Sequence, residues 1–338
     1  MTLSSSNTTS TGPQARSRLA RLQQLAVLLP AALLIAVVWL GNNKGSSILA
    51  GGAVAMLLGY SLVLAVELVA VRWVNRGDSV PAASPRALIA ALWQEVCVAP
   101  TVFSWRQPFR WRALPDNAVA AAPGHTPVVL IHGFVCNRGF WQPWMRALKQ
   151  RGVPYTSVNL EPVFGSIDDY PSLIEDAVQR AHALTGIAPV LVCHSMGGLA
   201  ARAWLVRSPQ AAARVQGIVT IGTPHHGTWL AGFSHVTNGR QMRRDSDWLK
   251  RLEAEERALT PDATYARFVC WYSNADNIVM PASTALLPGA DNRHVPGIAH
   301  VALAFHPKVM TETLALVEGR QTAEAVDPGE AMSGGISP

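Results

Sequence analysis

The sequence predicts an α/β fold, a mostly parallel sheet with helices on both faces, preceded by two transmembrane helices. Three observations point there. Beyond residue 119, short apolar β-prone runs alternate with helix-prone segments, the pattern of strands covered on both sides. Before residue 76, two long apolar runs hold a single ionisable residue, Glu67. Only 15% of the 338 residues are charged and 49% are apolar, too little charge for a chain wholly in water.

Residues 1–22 are rich in Ser, Thr and Asn, carry Arg16, Arg18 and Arg21, and read as a disordered basic tail. Residues 23–75 read as a transmembrane hairpin. Its apolar runs are 25–41, with Pro30 inside, and 48–71, joined by a polar turn at 42–47. Each run approaches or exceeds the ~20 residues that cross ~30 Å of hydrocarbon, and a proline is tolerated there. A cleaved signal peptide would show a cleavage site directly after the first run, and a buried soluble hairpin would show a polar face. Glu67 lies near the end of its span, where it can snorkel to the interface.

Arg16, Arg18 and Arg21 precede the first run, Arg72, Arg76 and Arg86 follow the second, and Lys44 alone lies between. The positive-inside rule therefore places both flanks, and everything after the hairpin, on the cytoplasmic side of an inner membrane. The net charge of +6 gathers around these apolar runs rather than in a basic stripe with interleaved aromatics. That favours a membrane surface and excludes a nucleic-acid partner.

Residues 76–118 read as an interfacial linker. A helical stretch at 87–98 leads into 103–112, where Phe103, Trp105, Phe109 and Trp111 alternate with Arg106, Arg110 and Arg112. Such a mix suits the headgroup layer, and equally suits Trp105 and Trp111 packing on the following domain.

Residues 119–318 read as the α/β domain. Strands are expected at 127–131, 155–159, 190–193, 217–221, 267–273 and 294–295, and helices at 141–151, 170–184, 196–207 and 301–318. Residues 224–265, polar and partly helical at 248–259, sit between two strands like an inserted lid. Residues 319–338 read as a disordered tail. Cys97, Cys136, Cys193 and Cys270 form no C-x-x-C pair and no zinc spacing; Cys193 and Cys270 read as buried small apolar residues.

The apolar run Val190-Leu191-Val192-Cys193 stops at His194-Ser195-Met196-Gly197-Gly198, and an alanine-rich helical stretch follows. A serine on such a turn is held out of the backbone in a strained position, with a helix N-terminus facing any developing anion. The pattern for such a turn is G-x-S-x-G, and Cys193 stands where the first glycine is expected. A serine hydroxyl also needs a base, an acid to orient that base, and donors for an oxyanion. The strand at 128–131 runs into His132-Gly133-Phe134; the Phe134 and Met196 backbone N–H groups make a plausible donor pair. Asp276 follows one apolar strand and precedes Ile278-Val279-Met280-Pro281, a partly buried setting that suits an imidazolium partner. His300 comes after both, in the order Ser…Asp…His. His294, on a strand, and His306, inside the last helix, fit the role less well, and His194 would point away from the site.

Together the 132–134 turn, the Ser195 elbow, Ser273-Asn274-Ala275-Asp276 and Gly297-Ile298-Ala299-His300 resemble the α/β-hydrolase superfamily, most closely bacterial triacylglycerol lipases and esterases. Ile221-Gly222-Thr223-Pro224-His225-His226-Gly227-Thr228 is similar to the G-T-P-H-x-G segment of those lipases. The resemblance spans roughly residues 126–318. It implies the α/β-hydrolase fold, Ser195 as nucleophile, Asp276 as orienter, His300 as general base, and an oxyanion hole at Phe134 and Met196. It also implies substrate-binding positions at His132, Gly133, His194 and His225, with His225 and His226 structural rather than catalytic. Some of these lipases bind calcium or zinc, but no matching ligand set is present, so no cofactor or metal is carried over.

The expected function is a membrane-anchored serine hydrolase that cleaves lipophilic acyl esters through an acyl-enzyme. A thioesterase or acyltransferase would use the same triad. A non-catalytic membrane scaffold would have no need of the whole set, and two helices with one ionisable residue are too few for a transport pathway.

Overall fold

The computed structural model describes residues 17–40, 45–116, 125–208, 210–259 and 264–325. Much of the tail expected at 1–22, part of the 42–47 turn and the end of the tail expected at 319–338 lie outside these residues. Two boundaries differ from expectation. Helix α1 (Arg18–Leu40) begins inside the expected basic tail, and the last helix runs to Ala325, past the expected domain end.

Two helices follow α1: α2 (Gly45–Val74) and α3 (Pro85–Pro100), the latter capped by the Ser84 side chain and extended through a wide turn at Thr101–Arg106 into α4 (Gln107–Phe109). Two helical stretches among the described residues, Arg18–Val37 and Pro85–Phe109, are long and apolar enough to cross a membrane. They differ in what they touch. Of the first, 6% is buried inside the fold; of the second, 28%. In α3 the buried residues Leu88, Ala91, Glu95 and Ala99 recur at helical spacing and form one face against the rest of the protein. In α2 that face is Leu64, Leu68 and Val71, continued by Asn75 just past the helix end, while Leu58, Leu62, Val66 and Val69 point outward and are exposed.

Six parallel strands follow: β1 (Val128–Ile131), β2 (Tyr155–Ser157), β3 (Val190–His194), β4 (Gly217–Ile221), β5 (Phe268–Tyr272) and β6 (Asp291–His294), in the order β2-β1-β3-β4-β5-β6. Helices α5 (Gln142–Gln150), α6 (Pro171–Thr185), α7 (Met196–Arg207), α8 (Thr237–Gln241), α9 (Asp247–Leu259), α10 (His300–Ala304) and α11 (Pro307–Ala325) complete the order. Alternation along the strands divides the core. Val129, Ile131, Leu191 and Cys193 join α6, α7 and α9 on one face; Val128, Leu130, Val190 and Val192 join Trp141, Trp144 and the α10–α11 side on the other.

Two expected elements change. Strand β6 lies at 291–294, not 294–295; Asp-Asn-Arg-His has no apolar alternation because it is a half-solvated edge. The helix expected at 301–318 is two helices broken at Phe305-His306, since Pro307 lacks an N–H and disfavours helical backbone before it. His306 therefore sits at the break rather than inside a helix.

The segment 224–265 packs over α7. Trp248, Leu249 and Leu252 enter the core, and Arg202 of α7 meets Glu256 of α9 in a buried two-bonded pair at 2.9 and 2.7 Å. The N-terminal end of α1 and the C-terminal end of α2 both rest on the α/β domain. Arg18 N–H donates to Glu161, Gln23 and Gln24 side chains donate to backbone carbonyls of Val135 and Pro108, and Asn75 bridges Asn274 and Ala282. A third apolar cluster, with Leu68, Val71, Leu88 and Ala91 against Ala275, Met280 and Ala299, seals that junction.

Candidate active site

Ser195 joins β3 to α7 with φ 54° and ψ −129°, a left-handed backbone that costs a non-glycine residue about 1–3 kcal/mol. The surroundings hold it there. Ser195 N–H donates to Ile221 O at 2.9 Å, and Ser195 O accepts from Gly198 N–H at 3.0 Å and from Thr223 Oγ1 at 2.9 Å. Close approach requires glycine at two places. A Cβ on Gly197 would stand 2.5 Å from Ile131 O, and one on Gly133 would stand 2.7 Å from Ser195 Cβ. Cys193, in place of the usual glycine, is fully buried within β3, where a small side chain fits.

His300 opens α10. Its Nδ1–H donates to Asp276 Oδ2 at 2.8 Å, a direction fixed because a carboxylate only accepts. The other Asp276 oxygen accepts from the Ile278 and Val279 amides at 2.9 and 2.8 Å. The neighbours of Asp276 tie this loop to the one bearing His300. Ser273 Oγ accepts from Ile298 N–H, Asn274 Oδ1 from Gly297 N–H, and Asn277 Oδ1 from His300 N–H. Burial by itself would lower the His300 pKa. The Asp276 carboxylate, with Glu95 and Glu67 further off, outweighs burial and raises it above the ordinary 6.5.

Ser195 and His300 open into one cavity of about 240 Å³. Its walls are largely apolar: Leu64 and Tyr60 from α2, Ala99 and Phe103 from α3 and the turn after it, and Phe134, Val135 and Ile278 from the α/β domain. Glu67 and Glu95 also line it. Glu67 thus turns into the site, accepting from Asn277 Nδ2 at 2.7 Å, instead of snorkelling to an interface. The described residues of the 224–265 insertion do not line the cavity; α2 and α3 do.

The remaining sequence-derived positions fall in different places. Phe134 lines the cavity, and Met196 directly follows Ser195 at the start of α7. His194 also lines it, stacked on Phe140 at 4.5 Å, with Nε2 directed at His300 O at 3.3 Å. It therefore faces the cavity instead of turning away. Burial and the nearby His300 hold its pKa well below the ordinary value, so it stays neutral. His132 lies outside the lining. Its Nδ1–H donates to Gly133 O and its Nε2 accepts from Leu160 N–H, and burial lowers its pKa to about 4. His225 is also elsewhere, bonded to Thr220 Oγ1, with its carbonyl accepting from Arg202. Thr223, in the same segment, braces the elbow from behind.

Cys136 is the cavity's thiol, and burial pushes it up to about 12, so it stays protonated. Trp111 is buried with Arg112 stacked over it at 4.4 Å, while Trp105 is 58% exposed, so the linker's two tryptophans part company. Sequence reasoning missed Glu95 and Asn277. A lone glutamate on an otherwise apolar helical face was the available signal for the first; nothing marked the second.

A parallel α/β sheet with a serine on a strained strand-to-helix turn, beside an Asp–His pair at the sheet's carboxyl edge, defines an α/β enzyme of the hydrolase type. The family model of the alpha/beta hydrolase family matches residues 128–324, and the chain belongs to that family. No curated protein matches the sequence. Among solved structures, the mature form of a Bacillus licheniformis lipase is 18% identical with a TM-score of 0.50, over 58% of this chain and 93% of that one. Aspergillus fumigatus lipase B is 17% identical with a TM-score of 0.51, over 62% of this chain and 56% of its own length. At these identities the likeness is one of fold.

Proposed function

We propose that the chain is a membrane-anchored serine hydrolase that cleaves lipophilic carboxylic esters through Ser195, His300 and Asp276. The observation that carries this reading is the His300–Asp276 hydrogen bond in the same apolar cavity as Ser195 on its strained turn. In the reaction, His300 Nε2 takes the Ser195 proton as Oγ attacks the ester carbonyl. The oxyanion is held by the Phe134 and Met196 amides. The C–O bond to the alcohol breaks, and the alcohol leaves with the proton from His300. Water, activated by the same imidazole, then attacks the acyl-enzyme and releases the acid and free Ser195. Asp276 keeps the imidazole in the required tautomer and stabilises the imidazolium. His132 and His225 we assign to the frame rather than the substrate, because both lie outside the cavity lining, His132 with both ring nitrogens bonded within the fold and His225 with its Nε2 on Thr220 Oγ1.

We read α1 and α2 as the membrane hairpin and α3 as a helix laid on the hydrolase domain. The two hairpin ends that contact the domain lie on one side, which supports placing both flanks together; the arginine distribution favours the cytoplasmic face. With α2 forming one wall of the cavity, an ester drawn from the bilayer can reach Ser195 past Leu64 and Tyr60. The test is an acyl-chain series of p-nitrophenyl esters on the full chain in detergent. Expected is hydrolysis favouring longer acyl chains, lowered at least ~10⁴-fold by Ser195→Ala. Turnover confined to acetate, or unaffected by the substitution, contradicts the reading.

A further inference from the structure

Beyond the triad, the backbone that carries His300 is held from outside the hydrolase domain. Three successive backbone N–H groups are satisfied by side chains. His300 N–H donates to Asn277 Oδ1, Val301 N–H to Glu95 Oε1 and Ala302 N–H to Glu95 Oε2, each at 3.1 Å. Asn277 is in turn held by Glu67 of α2. Glu95 is 2% exposed and lies on a face of α3 that is otherwise apolar. A carboxylate buried there is costly unless hydrogen-bonded, and its two oxygens are matched by those two amides.

We propose that Glu95 is a positioning residue for His300, with Asn277 and Glu67 bracing the same turn from α2, so that the helices preceding the hydrolase domain complete its active site. This rests on the reading of His300 as the general base. A one-ångström displacement of that base is enough to slow proton transfer ~100-fold, and two amides anchored by one rigid carboxylate restrict such a shift. The charged and titratable groups facing His300 are Asp276 from the loop after β5, Glu95 from α3, Glu67 from α2 and His194 from β3, whose ring lies 4.6 Å away. Burial raises the Glu95 carboxyl to about 7, against the lowering by the Val301 and Ala302 amides and by His300, so it is ionised above that pH. There its negative charge favours the imidazolium, and its removal lets His300 lose its proton at lower pH, which a purely structural brace would not do.

The full chain in detergent micelles is assayed as wild type, Glu95→Gln and Glu95→Asp, using p-nitrophenyl butyrate hydrolysis and the rate of fluorophosphonate labelling. Glu95→Gln keeps the shape but faces one amide with an NH₂ group. It is expected to lower kcat roughly 10- to 100-fold with KM within about twofold, and to move the acid limb of kcat/KM to lower pH. Glu95→Asp keeps the charge but falls short of the two amides, so kcat drops while the limb stays in place. A folded Glu95→Gln with wild-type kcat and an unmoved limb overturns the positioning role alone, provided the wild type hydrolyses ester and takes label. A wild type that does neither overturns the function reading and this proposal with it. Should Glu95→Gln fail to accumulate, wild-type kcat in Glu95→Asp overturns the proposal.

Discussion

Ser195 is held at positive φ by bonds to Ile221, Gly198 and Thr223, and the catalytic reading depends on that strain being maintained. In the proposed mechanism His300 carries the pH dependence. Its pKa stands above 6.5 because the charges of Asp276, Glu95 and Glu67 outweigh burial, and it must be neutral to accept the serine proton. Activity is therefore expected to be low in acid and to climb as pH rises through a value above 6.5. A kcat/KM profile with its acid limb centred below 6.5 contradicts this. The candidates Ser195, Asp276 and His300 could be named from the sequence because Ser195 closes one apolar run, Asp276 follows another and His300 comes after both, in that order; the structure bonds His300 to Asp276 and brings it into one cavity with Ser195. Glu95 stood out only as a lone glutamate among apolar helical positions; its role did not, because its partners are backbone amides some 200 residues away.

At the scale of elements, α9 is fastened to α7 by a pair that burial makes consequential. Arg202 and Glu256 are 1% and 5% exposed, and the Arg202 guanidinium also donates to His225 O and Tyr265. Truncation of one member strands the other as an unpaired buried charge. Glu256→Ala is expected to cost about 3–5 kcal/mol and to lower the thermal midpoint by roughly 10 °C. An unchanged midpoint would show that the segment 224–265 is held by its apolar contacts alone. The strands β1, β3, β4 and β5 were readable as continuous apolar runs because both their faces are covered. Strand β6 was not, because one side of it meets solvent. The insertion 224–265 was recognisable by its place between two strands, but its role was not: Trp248, Leu249 and Leu252 pack it onto α7, and part of the cavity wall comes instead from α2 and α3, far earlier in the chain.

For the whole molecule, what composition revealed was an apolar N-terminal third and an α/β remainder. It gave no hint that the two share a cavity. That joint is built from a buried stripe on α2 (Leu64, Leu68, Val71), continued by Asn75, and another on α3, whose apolar members are not distinguishable by composition from the outward-facing apolar residues beside them. Hydropathy marks both as simply apolar; only packing separates the stripe that meets protein from the one left exposed. The proposal is an acyl-transfer site where α2 and the hydrolase domain meet, with Ser195 as its nucleophile. Its most direct test is to treat the full chain with a fluorophosphonate, digest it and locate the adduct by mass spectrometry. A single adduct is expected on the peptide bearing Ser195, absent from Ser195→Ala and slowed when His300 is replaced by alanine. An adduct on another residue, or equal labelling of Ser195→Ala, contradicts it.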